Sequence, residues 1–480
     1  MDYTQIFAFI TNILFVMTLG WYLITNLQWY DYRIERVVLR HHKTWWHIVY
    51  FIVPFIVYYT IQEYFWIYFY AAFFPAIILW HRKLDKKVVL TWRVKRFLIL
   101  LFSITLFLDM LLTFKGLADT YSVFFPLLLT YIASWATEKF LFMAYKREAS
   151  RKVASMSELT IICVTGSYGK TSMKNFIAQV LSQKFNVYAT PRSVNTLGGI
   201  IRDVNESLPA NTQVYICEAG AREVGDIYAI TQLLQPQIVV VGKVGPQHLE
   251  YFKTLERIQR TKLEIIQSNR LKRAFIHTSV TDEAHEKVTF FGDEIHNLNA
   301  TLEGIDFDMA INGAIEHFHT SVLGGFQSIN INAAILIASE MGMASDEIVS
   351  AVKKLKSVEH RLERIDAGGK IILDDGYNGN IDGMLEGVRL CSLHSGRKVI
   401  VTPGLVESTY DLNSELINAI NGVFDIAIIT GALNAAQFDK ELRVPQKIML
   451  ADKSQMVKTL GEVTRAGDII LFANDAPNFI

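Results

Sequence analysis

Residues 1–145 constrain this chain most, because their apolar content suits lipid better than a water-soluble core. Phe, Tyr, Trp, Ile and Leu crowd five stretches, roughly 6–27, 46–61, 64–80, 97–114 and 121–136. A helix needs about 20 mostly apolar residues to cross a bilayer, with roughly 17–25 tolerated. The second stretch is short and meets the third across Gln62-Glu63, so five crossings are expected and four also fit. A removable leader is a poor alternative, since no basic segment precedes Ile6 and further apolar stretches follow.

Basic residues alternate from loop to loop. None precedes the first stretch, and Arg33, Arg36, Arg40 and Lys43 follow it. The turn at Glu63 has none, while the next loop carries Arg82, Lys83, Lys86, Lys87, Arg93, Lys95 and Arg96. Only Lys115 follows the fourth stretch, whereas Lys139, Lys146, Arg147, Arg151 and Lys152 follow the fifth. Cationic loops are retained on the cytoplasmic side. The N-terminus is therefore expected outside and everything after Arg147 in the cytoplasm, with membrane lipid as a partner. Asp109, the one acid inside a stretch, is expected to pair or snorkel rather than mark a transport path.

Lys plus Arg and Asp plus Glu each total 47, a net charge of zero that gives no global sign of nucleic-acid binding. Cys163, Cys217 and Cys391 lie far apart, in or beside apolar runs. Buried thiols are expected there, with neither a disulfide framework nor a zinc site.

From Leu159 onward, short β-rich runs alternate with helical periodicity, which predicts parallel sheets with crossover helices. Strands are expected at 160–165, 214–217, 238–241 and 273–277, with a helix over 173–183. A second α/β unit is expected from about 370, with strands at 370–373, 398–402, 426–430, 447–450 and 468–472. Three regions are expected: a helical membrane region over 1–147, an α/β unit over 155–360, which its glycine-rich loop at 166–172 marks as a P-loop-type ATPase domain, and a Rossmann-like α/β domain over 361–480.

GSYGKTS at 166–172 stands between a strand and a helix. Gly166 and Gly169 permit a tight turn whose N–H groups approach phosphate oxygens, and the helix N-terminus adds its positive end. Lys170 can reach the β/γ-phosphates, and the hydroxyl of Thr171 or Ser172 can hold Mg²⁺. Glu218 ends the strand at 214–217, where a carboxylate beside a phosphate loop suits a cation. His248, in VGPQHLE, occupies the corresponding position after 238–241. Lys262 lies on a helix in QRTKLEII, where a solvated lysine is the plain reading of that residue alone.

GSYGKTS, CEAG, HLE at 248–250 and TKLEI at 261–265 follow one another in the order and rough spacing of the Mur ligases, which the chain resembles over about 155–480. Asn330 in QSININAA, Arg361 in EHRLERI and DDGYNGN at 374–380 extend the likeness. The last is similar to the DDxYNAN segment of the branch that adds D-alanyl-D-alanine to a UDP-muramoyl tripeptide. Gly376, Gly379 and Ile381 depart from that pattern, and the membrane region stands where the family has its first, UDP-binding domain. The resemblance implies ATP and Mg²⁺, two ions of it, as cofactors, in the inner membrane of a bacterium. It implies a phosphate grip by Gly166, Ser167, Tyr168, Gly169, Lys170, Thr171 and Ser172. It assigns the metal to Thr171 or Ser172, Glu218, His248 and a carbamylated Lys262. Asn330 and Arg361 would border the adenine, Asp375 the ribose, and Tyr377, Asn378 and Asn380 the incoming dipeptide. Lys170, Lys262 and His248 would serve the chemistry, activation of a carboxylate as an acyl phosphate. Two other readings stay open: a membrane-bound ligase of another acceptor such as poly-γ-glutamate, and a transporter or scaffold with a regulatory ATP domain.

Overall fold

The computed structural model describes residues 3–475 except 40, 85, 116–120, 193, 246–251, 282, 284, 378 and 407. It divides into two compact units, Met1–Tyr145 and Lys146–Ile480.

Among the described residues of the first unit, three helices are long and apolar enough to cross a membrane: Tyr3–Trp29, Trp45–Arg82 and Trp92–Phe114. The middle one is a hairpin. Gln62 ends Val53–Ile61 with φ at 34°, and a short tight turn, Gln62–Tyr64, follows. The rings of Tyr58 and Phe65 meet at 4.8 Å beside that turn, and those of Trp46 and Trp80 at 5.7 Å at the open end. A straight helix would hold Trp46 and Trp80 about 50 Å apart at 1.5 Å per residue. The second and third apolar stretches are thus its two arms. The fifth stretch opens the helix Phe124–Ser155, whose later half is charged and which does not count among those three.

Close packing joins the first helix to Trp92–Phe114. A Cβ on Gly20 would lie 2.0 Å from Leu101 Cδ2. Asp109 is fully buried and accepts from Asn12 Nδ2 at 2.8 Å, so it pairs as expected.

Among its described residues, the second unit holds three sheets. The first comprises β1 (Thr160–Thr165), β2 (Val187–Ala189), β3 (Val214–Glu218), β4 (Ile238–Val241), β5 (Arg273–His277) and β6 (Val288–Phe291). Its order is β2-β3-β1-β4-β5-β6, every neighbouring pair parallel. Successive side chains alternate faces. Ile162 and Val164 pack towards the helices Lys170–Leu181 and Gln327–Glu340, whereas Ile161 and Cys163 pack towards Leu197–Glu206 and Asp226–Leu234. A small antiparallel sheet, β7 (Ile295–Ala300), β8 (Ile305–Ile311) and β9 (Ala314–Thr320), adds Phe307 and Phe318 to the former core.

The last sheet comprises β10 (Glu363–Ala367), β11 (Lys370–Asp375), β12 (Lys398–Thr402), β13 (Ile426–Thr430), β14 (Gln446–Leu450) and β15 (Ile469–Ala473). It runs β10-β11-β15-β12-β13-β14, parallel except for the edge strand β10. The expectation that 370–373 opens this unit is corrected by β10, a short strand too polar to read as one. All three cysteines are buried and free.

Candidate active site

β1 and β3 are adjacent parallel strands, so their carboxyl ends bring 166–172 beside Glu218. Gly169 sits at φ 73°, a left-handed conformation suited to glycine. A Cβ there would also lie 2.4 Å from Asn330 Oδ1. The helix starts at Lys170, three residues earlier than the apolar pattern suggests. Its first-turn N–H groups lack intrahelical acceptors and point at the loop's concavity.

Lys170 Nζ donates to the carbonyls of Gly166 and Ser167, at 2.8 Å each. Burial holds its pKa below the usual lysine value, against the pull of Glu218. Ser167 is buried and donates through Oγ to Gly245 O at 3.1 Å. The N–H groups of Ser167 and Tyr168 donate to Lys243 O. These two residues therefore shape the loop from behind.

Thr171 Oγ1 donates to Glu218 Oε2 at 3.0 Å, whereas Ser172 is buried in the helix. Thr171 is thus the hydroxyl turned towards the carboxylate. Asn195 Nδ2 donates to the other Glu218 oxygen at 3.2 Å. The Thr171 and Glu218 oxygens are hard donors of the kind that bind Mg²⁺ together with phosphate and water. Among the described residues, no three His, Cys, Asp or Glu side chains converge as a metal site. His248 lies outside the described residues.

Lys262 is buried on Leu255–Leu263. Burial first, and Lys170 second, lower its pKa to about 7, although Asp226, Glu264 and Glu218 pull the other way. Glu264 braces that neighbourhood by accepting from the N–H groups of Gly225 and Tyr228.

The last sheet contributes from β11. Asp375 is buried at its carboxyl end, and Arg361 Nη1 donates to the carbonyl of Tyr377. Burial lowers the Arg361 pKa, opposed by Asp375 and Glu218. Asn330 is buried against the phosphate loop and donates to Gln327 Oε1 at 2.8 Å. Asn380 caps Ile381–Ser392, its Oδ1 accepting from Gly383 N at 2.9 Å. Asn378 lies outside the described residues.

Sequence reasoning missed the residues that hold this arrangement. Thr190 accepts Lys174 Nζ at its carbonyl (2.6 Å) and Glu218 N at its hydroxyl (3.1 Å). Asp374, the neighbour of Asp375, binds His360 Nδ1 at 2.5 Å and accepts from Gly376 N. Lys243 pairs with Asp382 across the two large sheets at 2.9 Å. Only the paired acids of DDGY signalled any of this.

Residues 164–338 match the Mur ligase middle domain. The chain is similar to the Mur ligases. It is 28% identical over 335 residues to the UDP-N-acetylmuramoyl-tripeptide–D-alanyl-D-alanine ligase of Bacillus subtilis, covering 65% of this chain and 72% of that protein. It is 26% identical over 263 residues to the Escherichia coli ligase of that name, covering 52% of this chain and 58% of the relative. Among solved structures, MurF ligase from Thermotoga maritima in complex with ADP superposes with a TM-score of 0.61 at 25% identity, covering 70% of this chain and 80% of that one. In this chain, the loop at 166–172 opens the matched span and the Gln327–Glu340 helix closes it.

Proposed function

We propose that this chain is a multi-pass Mur ligase of the bacterial inner membrane that uses ATP and Mg²⁺ to join D-alanyl-D-alanine to a UDP-muramoyl tripeptide. The observation that carries this reading is the meeting of Lys170, Thr171 and Glu218 at one sheet edge, with the DDGYNGN end of β11 approached by Arg361. The relatives named above, two D-alanyl-D-alanine ligases, supply the substrate class. We assign 1–147 to the membrane, 155–360 to the ATP-binding domain and 361–480 to the C-terminal domain. Ile99, Phe102 and Phe107 are exposed at 63%, 45% and 66%, an apolar surface better suited to lipid than to water.

Mg²⁺ would neutralise charge on the transferring phosphoryl group. The N–H groups of residues 169–172 and Lys170 would orient the phosphates, and Thr171, Glu218 and His248 would hold the metal. Asn330, Arg361 and Asp375 border the nucleoside. Tyr377, Asn378 and Asn380 receive the dipeptide. An oxygen of the acceptor carboxylate attacks the γ-phosphorus and ADP leaves. The dipeptide nitrogen then attacks the acyl carbon, phosphate departs with that oxygen, and the amine loses a proton. Positioning and charge neutralisation carry most of such a reaction. Lys262 with a pKa of about 7 is substantially a free amine near neutrality. That form can add CO₂ to give a carbamate and a proton, converting a cation into a carboxylate-like metal ligand.

The test is isotopic. An acceptor labelled with ¹⁸O in its terminal carboxylate should yield one labelled oxygen in the released phosphate for each amide formed. Unlabelled phosphate would rule out the acyl phosphate.

A further inference from the structure

The segment after β2 is fastened at both ends beside the metal carboxylate. Thr190 binds Lys174 and Glu218 at one end. At the other, Asn195 donates to Glu218 and its carbonyl accepts from Gly220 N at 2.8 Å. Between these anchors, Arg192 reaches towards the last sheet. Its guanidinium lies 4.8 Å from the centre of the Tyr377 ring, and Nη1 pairs with Glu359 Oε2 at 2.9 Å. Arg361 holds the backbone of the same tyrosine, so two guanidinium groups converge on one residue. Like charges so placed repel unless an anion lies between them. The Glu359 pair does little to offset this, because both partners are largely exposed, at 46% and 66%.

We propose that Arg192 binds the non-reacting carboxylate of a peptide substrate beside Tyr377. This rests on the ligase reading above and deepens it. A guanidinium fork matches a carboxylate in two parallel hydrogen bonds. An incoming dipeptide with its amine at the acyl phosphate carries its own carboxylate about 7 Å away, the reach of two extended residues. A second carboxylate on the acceptor peptide has the same chemistry.

The experiment compares wild type, Arg192→Met, Arg192→Lys and Glu359→Gln in the full-length protein with ATP and Mg²⁺. One arm offers D-alanyl-D-alanine against its C-terminal amide. The other offers the tripeptide acceptor against a form amidated at its non-reacting carboxylate. Wild type should disfavour one amidated substrate by on the order of tenfold in kcat/KM, and the arm affected names the source. Arg192→Met should raise KM for the matching acid by a similar factor and cease to distinguish acid from amide, with kcat and the KM for ATP within about twofold. Arg192→Lys should recover part of the loss, and Glu359→Gln should lower KM by freeing the guanidinium. The proposal fails if Arg192→Met leaves both KM values unchanged, or lowers kcat for acids and amides alike, as an interdomain latch would. A wild type that ligates no dipeptide defeats the ligase reading itself, and this proposal with it, before any variant is compared.

Discussion

Replacing Glu218 with glutamine separates the proposed metal role of this carboxylate from its structural one. Glu218 is 4% exposed and both its oxygens are engaged, by Thr171 Oγ1 at 3.0 Å and Asn195 Nδ2 at 3.2 Å. Glutamine has the same shape. Its Oε1 keeps the Asn195 bond, and its amide can donate to the Thr171 oxygen. The lost charge is what Mg²⁺ would feel. A hydrogen bond or contact to a charged group contributes about 1.5–3 kcal/mol, which is roughly 10–150-fold in Mg²⁺ affinity at 1.36 kcal/mol per decade. Glu218 also raises the pKa of Lys170 and of Lys262, so both amines shed protons at a lower pH in the variant. Burial of a carboxylate is relieved at the same time, and Tm without metal should move by no more than the few degrees equivalent to about 1 kcal/mol. The assay is ATP-dependent turnover titrated with Mg²⁺, alongside thermal unfolding. A half-activating concentration within threefold of wild type would refute the metal assignment. A collapse of Tm would show that Glu218 acts through the fold.

Three further outcomes are expected. With CO₂ present, ligation should fall as pH drops through about 7, where Lys262 gains a proton and can no longer take up CO₂, and depleting CO₂ should abolish it at pH 8. Bicarbonate should restore activity at pH 8 but not at pH 6, and bicarbonate-independent activity at pH 8 would exclude the carbamate. Asn380→Ala should cost about 0.5–2 kcal/mol of stability as a lost helix cap. Asn380→Asp keeps the capping oxygen, so a raised dipeptide KM in that variant with unchanged Tm marks the amide as a substrate contact, and an unchanged KM makes the cap its whole role. Reporter fusions after Trp29, Arg96 and Lys152 should report cytoplasm and one at Glu63 the outside, whereas a cytoplasmic signal at Glu63 would mean that the hairpin does not cross.

The sequence was most legible where a local rule is strong. Strand–loop–helix punctuation around GSYGKTS put Lys170 and Thr171 in the right turn, because glycine freedom and a helix start are written in adjacent residues. Runs such as TIICVT and IAIIT marked buried parallel strands through their β-branched content. Less legible were β7 and β9, whose polar residues face outward and whose strand character comes from pairing with β8. β10 was missed for the same reason. The supports of the site were hidden for a different one. Thr190, Asn195 and Arg192 act through contacts with residues 16 to 185 positions away, such as Lys174 and Tyr377, and no local pattern reports a partner that distant. Asn330 shows the converse. Its position read as part of a nucleotide site, and only the structure puts its amide against Gly169.

The central claim, that this chain makes a peptide bond to D-alanyl-D-alanine, is tested by one competition. The full-length protein receives ATP, Mg²⁺ and UDP-muramoyl tripeptide, with D-alanyl-D-alanine, L-glutamate, L-lysine and glycine at equal concentration, and products are identified by mass. The account predicts the pentapeptide product, with one ADP and one phosphate for each bond formed. Preferential transfer of glutamate, or ATP turnover with no dipeptide product, would contradict it.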